Sequence, residues 1–253
     1  MRVFLTSSPC CPCEQEGIDI PCQWNEENEF VKNLSDGWNE NSQCLIISAD
    51  PENYEMNDEM CDTFGMAFEY AGLSLADIAV CDSRNAQDIQ WLIQESDILI
   101  LGGGHVPTQN AFFRELGLKE LLCGFSGIVM GISAGSMNCA RIVYAQPELE
   151  GESEDPEYQR YMEGLGLTEL MILPHYQEVR EHMLDGKRII EDITCPDSMG
   201  NRFYALVDGS YVLCEDDNTT IYGEAYLIQD GEITQICEQG QRIRFTGINY
   251  SGE

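Results

Sequence analysis

Gly131-Ile132-Ser133-Ala134-Gly135 sets one hydroxyl between two residues that lack side chains. The apolar run GIVMGIS leads into it, and a small-residue, helix-like segment follows. At such a strand-to-helix turn a serine is held in strained backbone geometry, and small neighbours let its hydroxyl project from the top of a sheet. The amide of Ala134 is then free to donate to an oxyanion, and the helix N-terminus favours negative charge there. The same five residues also suit a tightly packed turn with no chemistry, because glycine and serine are common.

A serine needs a base to act as a nucleophile. The chain has three histidines, His105, His175 and His182. His175 directly follows the apolar run LMILP, at the carboxyl end of a predicted strand, and is the candidate base. His105 follows the glycine run Gly102-Gly103-Gly104 and is expected to line the same cleft. His182 falls within the charged, helix-like stretch EVREHMLDGKRIIEDI and reads as a surface residue. A base in turn needs an orienting carboxylate, and 45 acidic residues do not single one out. Asp208, in YALVDGSYV, ends a strand at a tight turn; taken alone, an Asp-Gly there is a hairpin turn. The glycine run lacks the Lys-Ser/Thr of a phosphate-binding loop, so amides offered to an oxyanion are its better use. The order serine, histidine, acid differs from that of α/β-hydrolases, where the acid precedes the histidine.

These residues need a scaffold, and the first two-thirds of the chain alternates the signals for one. RVFLTSS, QCLIISAD, IAVCD, DILILGGG and GIVMGIS read as buried strands. ENEFVKNLSDGW, NDEMCDTFGMAFEYAGL, AQDIQWLIQES and QNAFFRELGLKELLCGF carry apolar residues at helical spacing between them. Continuous apolar strands separated by amphipathic helices predict an α/β fold with a parallel sheet covered on both faces. Functional groups then gather at the carboxyl ends of the strands, where LGGGH and GISAG both fall. QPELEGESEDPE reads as an acidic surface loop. Beyond FYALVD, short strands and turn signals predict an antiparallel extension of the same sheet. With no repeat and no low-complexity linker, residues 1–253 read as a single domain.

Composition narrows the function further. The 253 residues are 43% hydrophobic and carry a formal net charge of -32. Such a chain is globular, and without a basic face it is no partner for nucleic acid or an anionic membrane. No stretch approaches the length of a membrane span, and the N-terminus does not read as a signal peptide. Most of the 12 cysteines sit in apolar runs as small buried hydrophobes, which suits a reducing cytoplasm. The cluster Cys10, Cys11, Cys13 and Cys22 matches no standard zinc spacing and has no histidine beside it; it reads as loop cysteines, with a thiol or metal role as the alternative. No metal and no cofactor is expected.

RVFLTSS, ILILGGG, GISAGS, ILPHY and YALVDGS, in that order, resemble the serine peptidase family that includes peptidase E, the α-aspartyl dipeptidase, and cyanophycinase. The resemblance implies a three-layer αβα sandwich, flavodoxin-like and related to class I glutamine amidotransferases. It implies Ser133 as nucleophile, His175 as base and Asp208 as the third member, a position where the family commonly has glutamate. It places Gly103, Gly104 and Ala134 at the oxyanion hole. Two features depart from the family. His105 stands where an asparagine is usual, in a region that contacts substrate, and the insertion PCCPCEQEGIDIPCQW is longer than expected. The implied activity is a serine exopeptidase on small peptides, foremost of the Asp-X type. The alternatives are cyanophycinase-like or broader specificity, or an amidotransferase-like binding module. An aspartyl substrate needs a cation, for which Arg180 is the first candidate, with Arg141 and Arg188 after it. A monomer or homodimer is expected.

Overall fold

In a computed structural model that describes residues 1–10, 14–15, 18–19, 22–216 and 218–246, the five apolar runs form parallel neighbours in one sheet. They are β1 (Arg2–Thr6), β2 (Gln43–Ile47), β3 (Asp77–Cys81), β4 (Ile98–Leu101) and β5 (Ile128–Ile132), in the spatial order β3-β2-β4-β5-β1. Successive side chains alternate between two cores. Leu45, Ile47, Leu99, Leu101 and Val129 enter one, while Cys44, Ile46, Ile98, Ile100 and Met130 enter the other. A segment buried on both faces leaves little room for a polar residue, which is why residues 3–5, 44–47 and 98–101 are apolar without a break, while Arg2, Gln43 and Asp77 fall at the strand starts.

Helices close both sides. Phe30 and Leu34 of α1 (Phe30–Ser35) and Phe64, Ala67 and Phe68 of α2 (Tyr54–Tyr70) pack into one core. Ile89 and Ile93 of α3 (Ile89–Gln94) and Phe112 and Phe113 of α4 (Val106–Glu115) pack into the other. The result is the expected αβα sandwich. Each of these Phe, Leu and Ile side chains removed from water contributes about 1.5–3 kcal/mol.

The C-terminal third corrects two expectations. The antiparallel strands do not all extend one sheet. β6 (Met171–Leu173) and β7 (Arg202–Leu206) pair in parallel and, with β10 (Ala225–Gln229) and β11 (Glu232–Cys237), form a separate four-stranded sheet. β8 (Tyr211–Glu215), β9 (Asn218–Tyr222) and β12 (Arg242–Thr246) extend the main sheet beyond β1, against which β8 runs antiparallel. The chain changes sheet between β7 and β8, so Asp208-Gly209 closes no hairpin. The stretch 178–193 is not one helix either. A short helix, Tyr176–Val179, precedes the two-stranded hairpin Met183–Leu184 with Lys187–Arg188, and a π-helical turn, Ile189–Thr194, follows. Asp185 and Gly186 both have positive φ, 53° and 77°, the geometry an Asp-Gly hairpin turn demands, and this local preference overrides the helical spacing around it.

The acidic loop leaves and returns through a strand pair, Ile142–Tyr144 with Tyr161–Glu163. Cys11 and Cys13 lie outside the described residues, as does much of the insertion; the Cys10 and Cys22 sulfurs are 3.0 Å apart. Among the described residues, no group of three or more His, Cys, Asp or Glu could hold a metal ion, and no helix is long and apolar enough to cross a membrane.

Candidate active site

Strand β5 ends at Ile132 and helix α5 (Ala134–Asn138) begins at once, leaving Ser133 to make the whole turn at φ 50° and ψ -112°. A non-glycine residue in that region costs about 1–3 kcal/mol, so its surroundings must impose it. The Ser133 amide donates to the carbonyls of Thr6 (3.1 Å) and Ser7 (3.2 Å) at the end of β1. The Ser133 carbonyl accepts from the amides of Ser136 (2.9 Å) and Met137 (3.2 Å). Thr6 Oγ1 donates to the Gly131 carbonyl at 2.7 Å, and Ser136 Oγ donates to the Thr6 carbonyl at 2.8 Å.

Both glycines of the motif have a steric reason. A Cβ on Gly131 would lie 2.7 Å from the Ser136 backbone. One on Gly135 would lie 2.7 Å from the Leu101 carbonyl carbon and closer still to its oxygen. The helix therefore starts directly against the ends of β4 and β5, with the serine hydroxyl above them.

His175 arrives from the second sheet. Pro174 follows β6, and His175, at φ 56° and ψ 35°, caps the helix Tyr176–Val179. Its Nε2 lies 2.9 Å from Ser133 Oγ and its Nδ1 2.8 Å from Asp208 Oδ1. An ionised carboxylate only accepts, so the imidazole hydrogen belongs on Nδ1, and Nε2 is left to accept from the serine hydroxyl.

Asp208 is held by more than the histidine. Ser7 Oγ donates to Oδ1 at 2.6 Å, and Gln177 Nε2 donates to Oδ2 at 2.7 Å. Ser7 Oγ also accepts the His175 amide at 2.7 Å, so one hydroxyl ties the His175 backbone to the Asp208 side chain. Burial works to raise the Asp208 pKa, but the hydrogen bonds from His175, Ser7 and Gln177 and the charge of His175 outweigh it and hold the group below the usual carboxylate range. For His175, burial works to lower the pKa, while the hydrogen bond and charge of Asp208, with Glu178 and Glu148 beyond, raise it overall.

The glycine run reaches the same place. Gly103 packs against the serine, where a Cβ would stand 3.5 Å from Ser133 Cβ; one on Gly104 would meet the Ala49 Cβ at 2.7 Å. The Gly102 amide is used by the Ile47 carbonyl, whereas those of Gly103, Gly104 and Ala134 bond to no protein acceptor among the described residues. Three amides are thus available around Ser133, as an oxyanion requires.

A pocket of about 150 Å³ opens at Ser133 and His175, with Val106, Met137, Val179 and Ile189 as apolar wall and Gln146, Glu148 and His182 as polar wall. His182 is exposed, as the sequence predicts, and stands at the rim of this pocket. Arg180 does not line the pocket; its guanidinium pairs with Glu181 at 3.1 Å. Arg141 pairs with Glu169 and Arg188 with Asp192, both also outside the pocket wall. His105 is not in the wall either: its ring bridges Thr108 Oγ1 (2.7 Å) and Glu152 Oε1 (2.8 Å) at the start of α4. A larger depression of about 480 Å³, lined by Leu170, Arg202 and Phe245, lies at the opposite ends of β6 and β7 and holds no nucleophile with a base.

Sequence reading missed Ser7, Gln177 and Glu148. Ser7 had one available signal, its place at the carboxyl end of a predicted strand, as Ser133 has; Gln177 and Glu148 had none.

A model of peptidase family S51 matches residues 25–222, most of the chain. A peptidase from an acI-B1 Actinobacterium has a similar structure, at 15% sequence identity and TM-score 0.62, over 96% of each chain. A protein named for peptidase E from Listeria monocytogenes EGD-e is similar at 16% identity and TM-score 0.51, over 93% of this chain and 97% of that one. At such identities the likeness is one of fold. No curated protein matches the sequence significantly.

Proposed function

The chain belongs to peptidase family S51 and is a serine-type peptidase, and from that premise we propose that it is an exopeptidase on short peptides working through an acyl-enzyme on Ser133. The supporting observation is the relay of 2.9 Å from Ser133 Oγ to His175 Nε2 and 2.8 Å from His175 Nδ1 to Asp208 Oδ1. His175 takes the serine proton as Oγ attacks the peptide carbonyl. The amides of Gly103 or Gly104 and Ala134 receive the oxyanion, and Asp208 keeps the imidazole oriented and stabilises its cation. His175 then protonates the leaving amine, and water releases the acyl group by the same steps in reverse order.

The specificity favoured here is broader than Asp-X. An aspartyl side chain needs a cation, and among the described residues lining the pocket there is no lysine or arginine. A binding module of the same fold would have no use for a strained serine within reach of a carboxylate-bound histidine. Labelling tests the distinction: a fluorophosphonate is expected to form one adduct per chain, mapped to Ser133 by mass spectrometry. Stoichiometric labelling elsewhere, or none, would sink the acyl-enzyme reading.

Acid should switch the enzyme off. The base works as neutral imidazole, and its pKa is raised above the ordinary value of 6.5. The acid limb of kcat/KM is therefore expected to have its midpoint above 6.5. Asp208→Asn removes the group that raises it, so the midpoint should move to lower pH while the rate drops. A wild-type midpoint well below 6.5 would contradict this assignment.

A further inference from the structure

Among the described residues, one carboxylate, that of Glu148, lines the pocket at Ser133. Glu148 Oε1 accepts the Val106 amide at 3.3 Å. The loop carrying Glu148 is fastened by Glu152, whose Oε2 accepts the amides of Glu148 (2.9 Å) and Leu149 (3.0 Å) and whose Oε1 meets His105 Nε2 at 2.8 Å. His105 thus acts at one remove, as the post to which this loop is tied.

Glu148 lacks a cationic partner in the pocket. Among the described residues lining it, the titratable side chains besides Glu148 are His175 and His182. Much of Glu148 remains in solvent at the rim, yet the protein crowding its carboxyl group raises its pKa. A cation delivered by the substrate would relieve that cost. The rest of the pocket wall includes Val106, Met137, Val179 and Ile189, an apolar surface, and the space of about 150 Å³ is enough for one side chain.

We propose that Glu148 holds the free α-ammonium of a peptide's first residue, while the apolar wall takes that residue's uncharged side chain. In a peptide attacked by Ser133 at its first carbonyl, the α-ammonium is two bonds from the reacting carbon, so it falls inside the same small pocket. The arrangement explains why the enzyme would act only from an amino terminus. It also disfavours an N-terminal aspartate, whose second carboxylate would enter beside Glu148. The inference rests on the peptidase reading of the site and names its substrate class.

Titration calorimetry on the Ser133→Ala protein, which binds without turnover, decides it. Leu-Leu is expected to bind at least about tenfold more tightly than N-acetyl-Leu-Leu, the usual scale of a charge-assisted hydrogen bond. Adding Glu148→Gln, which keeps the size and the acceptor for the Val106 amide, should bring the two peptides within about twofold. On the Ser133 enzyme, Leu-Leu should be hydrolysed faster than Asp-Leu. Equal binding of the free and acetylated peptides, a preference that survives Glu148→Gln, or faster cleavage of Asp-Leu would each overturn the proposal. Failure of the peptidase reading shows differently, as no Ser133-dependent hydrolysis of any peptide, and the binding comparison still decides the Glu148 site.

Discussion

Ser133→Ala is expected to lower dipeptide turnover by about 10⁴- to 10⁶-fold, the usual loss when a triad nucleophile is removed, while leaving the fold intact. The substitution deletes one atom. The backbone bonds that hold the turn, from the Ser133 amide to Thr6 and Ser7 and from Ser136 and Met137 to the Ser133 carbonyl, do not involve the hydroxyl. Alanine meets the same backbone strain at φ 50° as serine, so no strain is released and none is added. Steady-state hydrolysis of a small dipeptide library, beside a thermal melt within about 2 °C of the parent, checks both halves. Retained turnover in a folded variant would remove Ser133 from the reaction, and with it the roles given to His175 and Asp208.

Gly135→Ala is expected to cost about 3 kcal/mol or more of stability, because its Cβ would enter the Leu101 carbonyl group. Neither side of that collision can turn aside. Leu101 ends β4, which is hydrogen-bonded on both sides, and Gly135 lies in the first turn of α5 with Gly131 packed beneath it. Relief requires the helix to lift off the sheet, which carries Ser133 away from His175. For a chain of this size the melting temperature should fall by roughly 6–12 °C, and activity should fall with it. Gly124→Ala is the control, since nothing lies within 4 Å of its added Cβ; its melting temperature should hardly change. Equal stability of the two variants would mean that the turn is looser than the contacts indicate.

The elements that could be read in advance are those whose cause is local. The strands of the parallel sheet announce themselves because burial on both faces keeps their central positions apolar, most completely in β4, Ile98–Leu101. The turn at Ser133 is also local: its requirements fall on Gly131 and Gly135, within a few residues. His175 was accessible because the chain has only three histidines. The stretch 178–193 misled because its helical spacing hid one Asp-Gly pair, Asp185-Gly186, with a strong turn preference.

By itself, then, the order of residues determined the layered α/β scaffold, the strained serine and a short choice of bases. Residue types alone did not choose among 45 acids; the family resemblance pointed to Asp208, and the tertiary structure puts it beside His175. Asp208 is 33 residues from His175 and reaches it only because β7 and β8 part into different sheets, a choice made by long-range pairing. The tertiary structure also decided that Ser7, 201 residues from Asp208, would join acid to base, since β1 is the parallel neighbour of β5. And it decided the character of the pocket, leaving Arg180 outside on Glu181 and bringing Glu148 in through a loop with no periodicity to betray its course. Local preference acts through neighbours along the chain, whereas a site assembled at strand ends depends on which strands lie side by side.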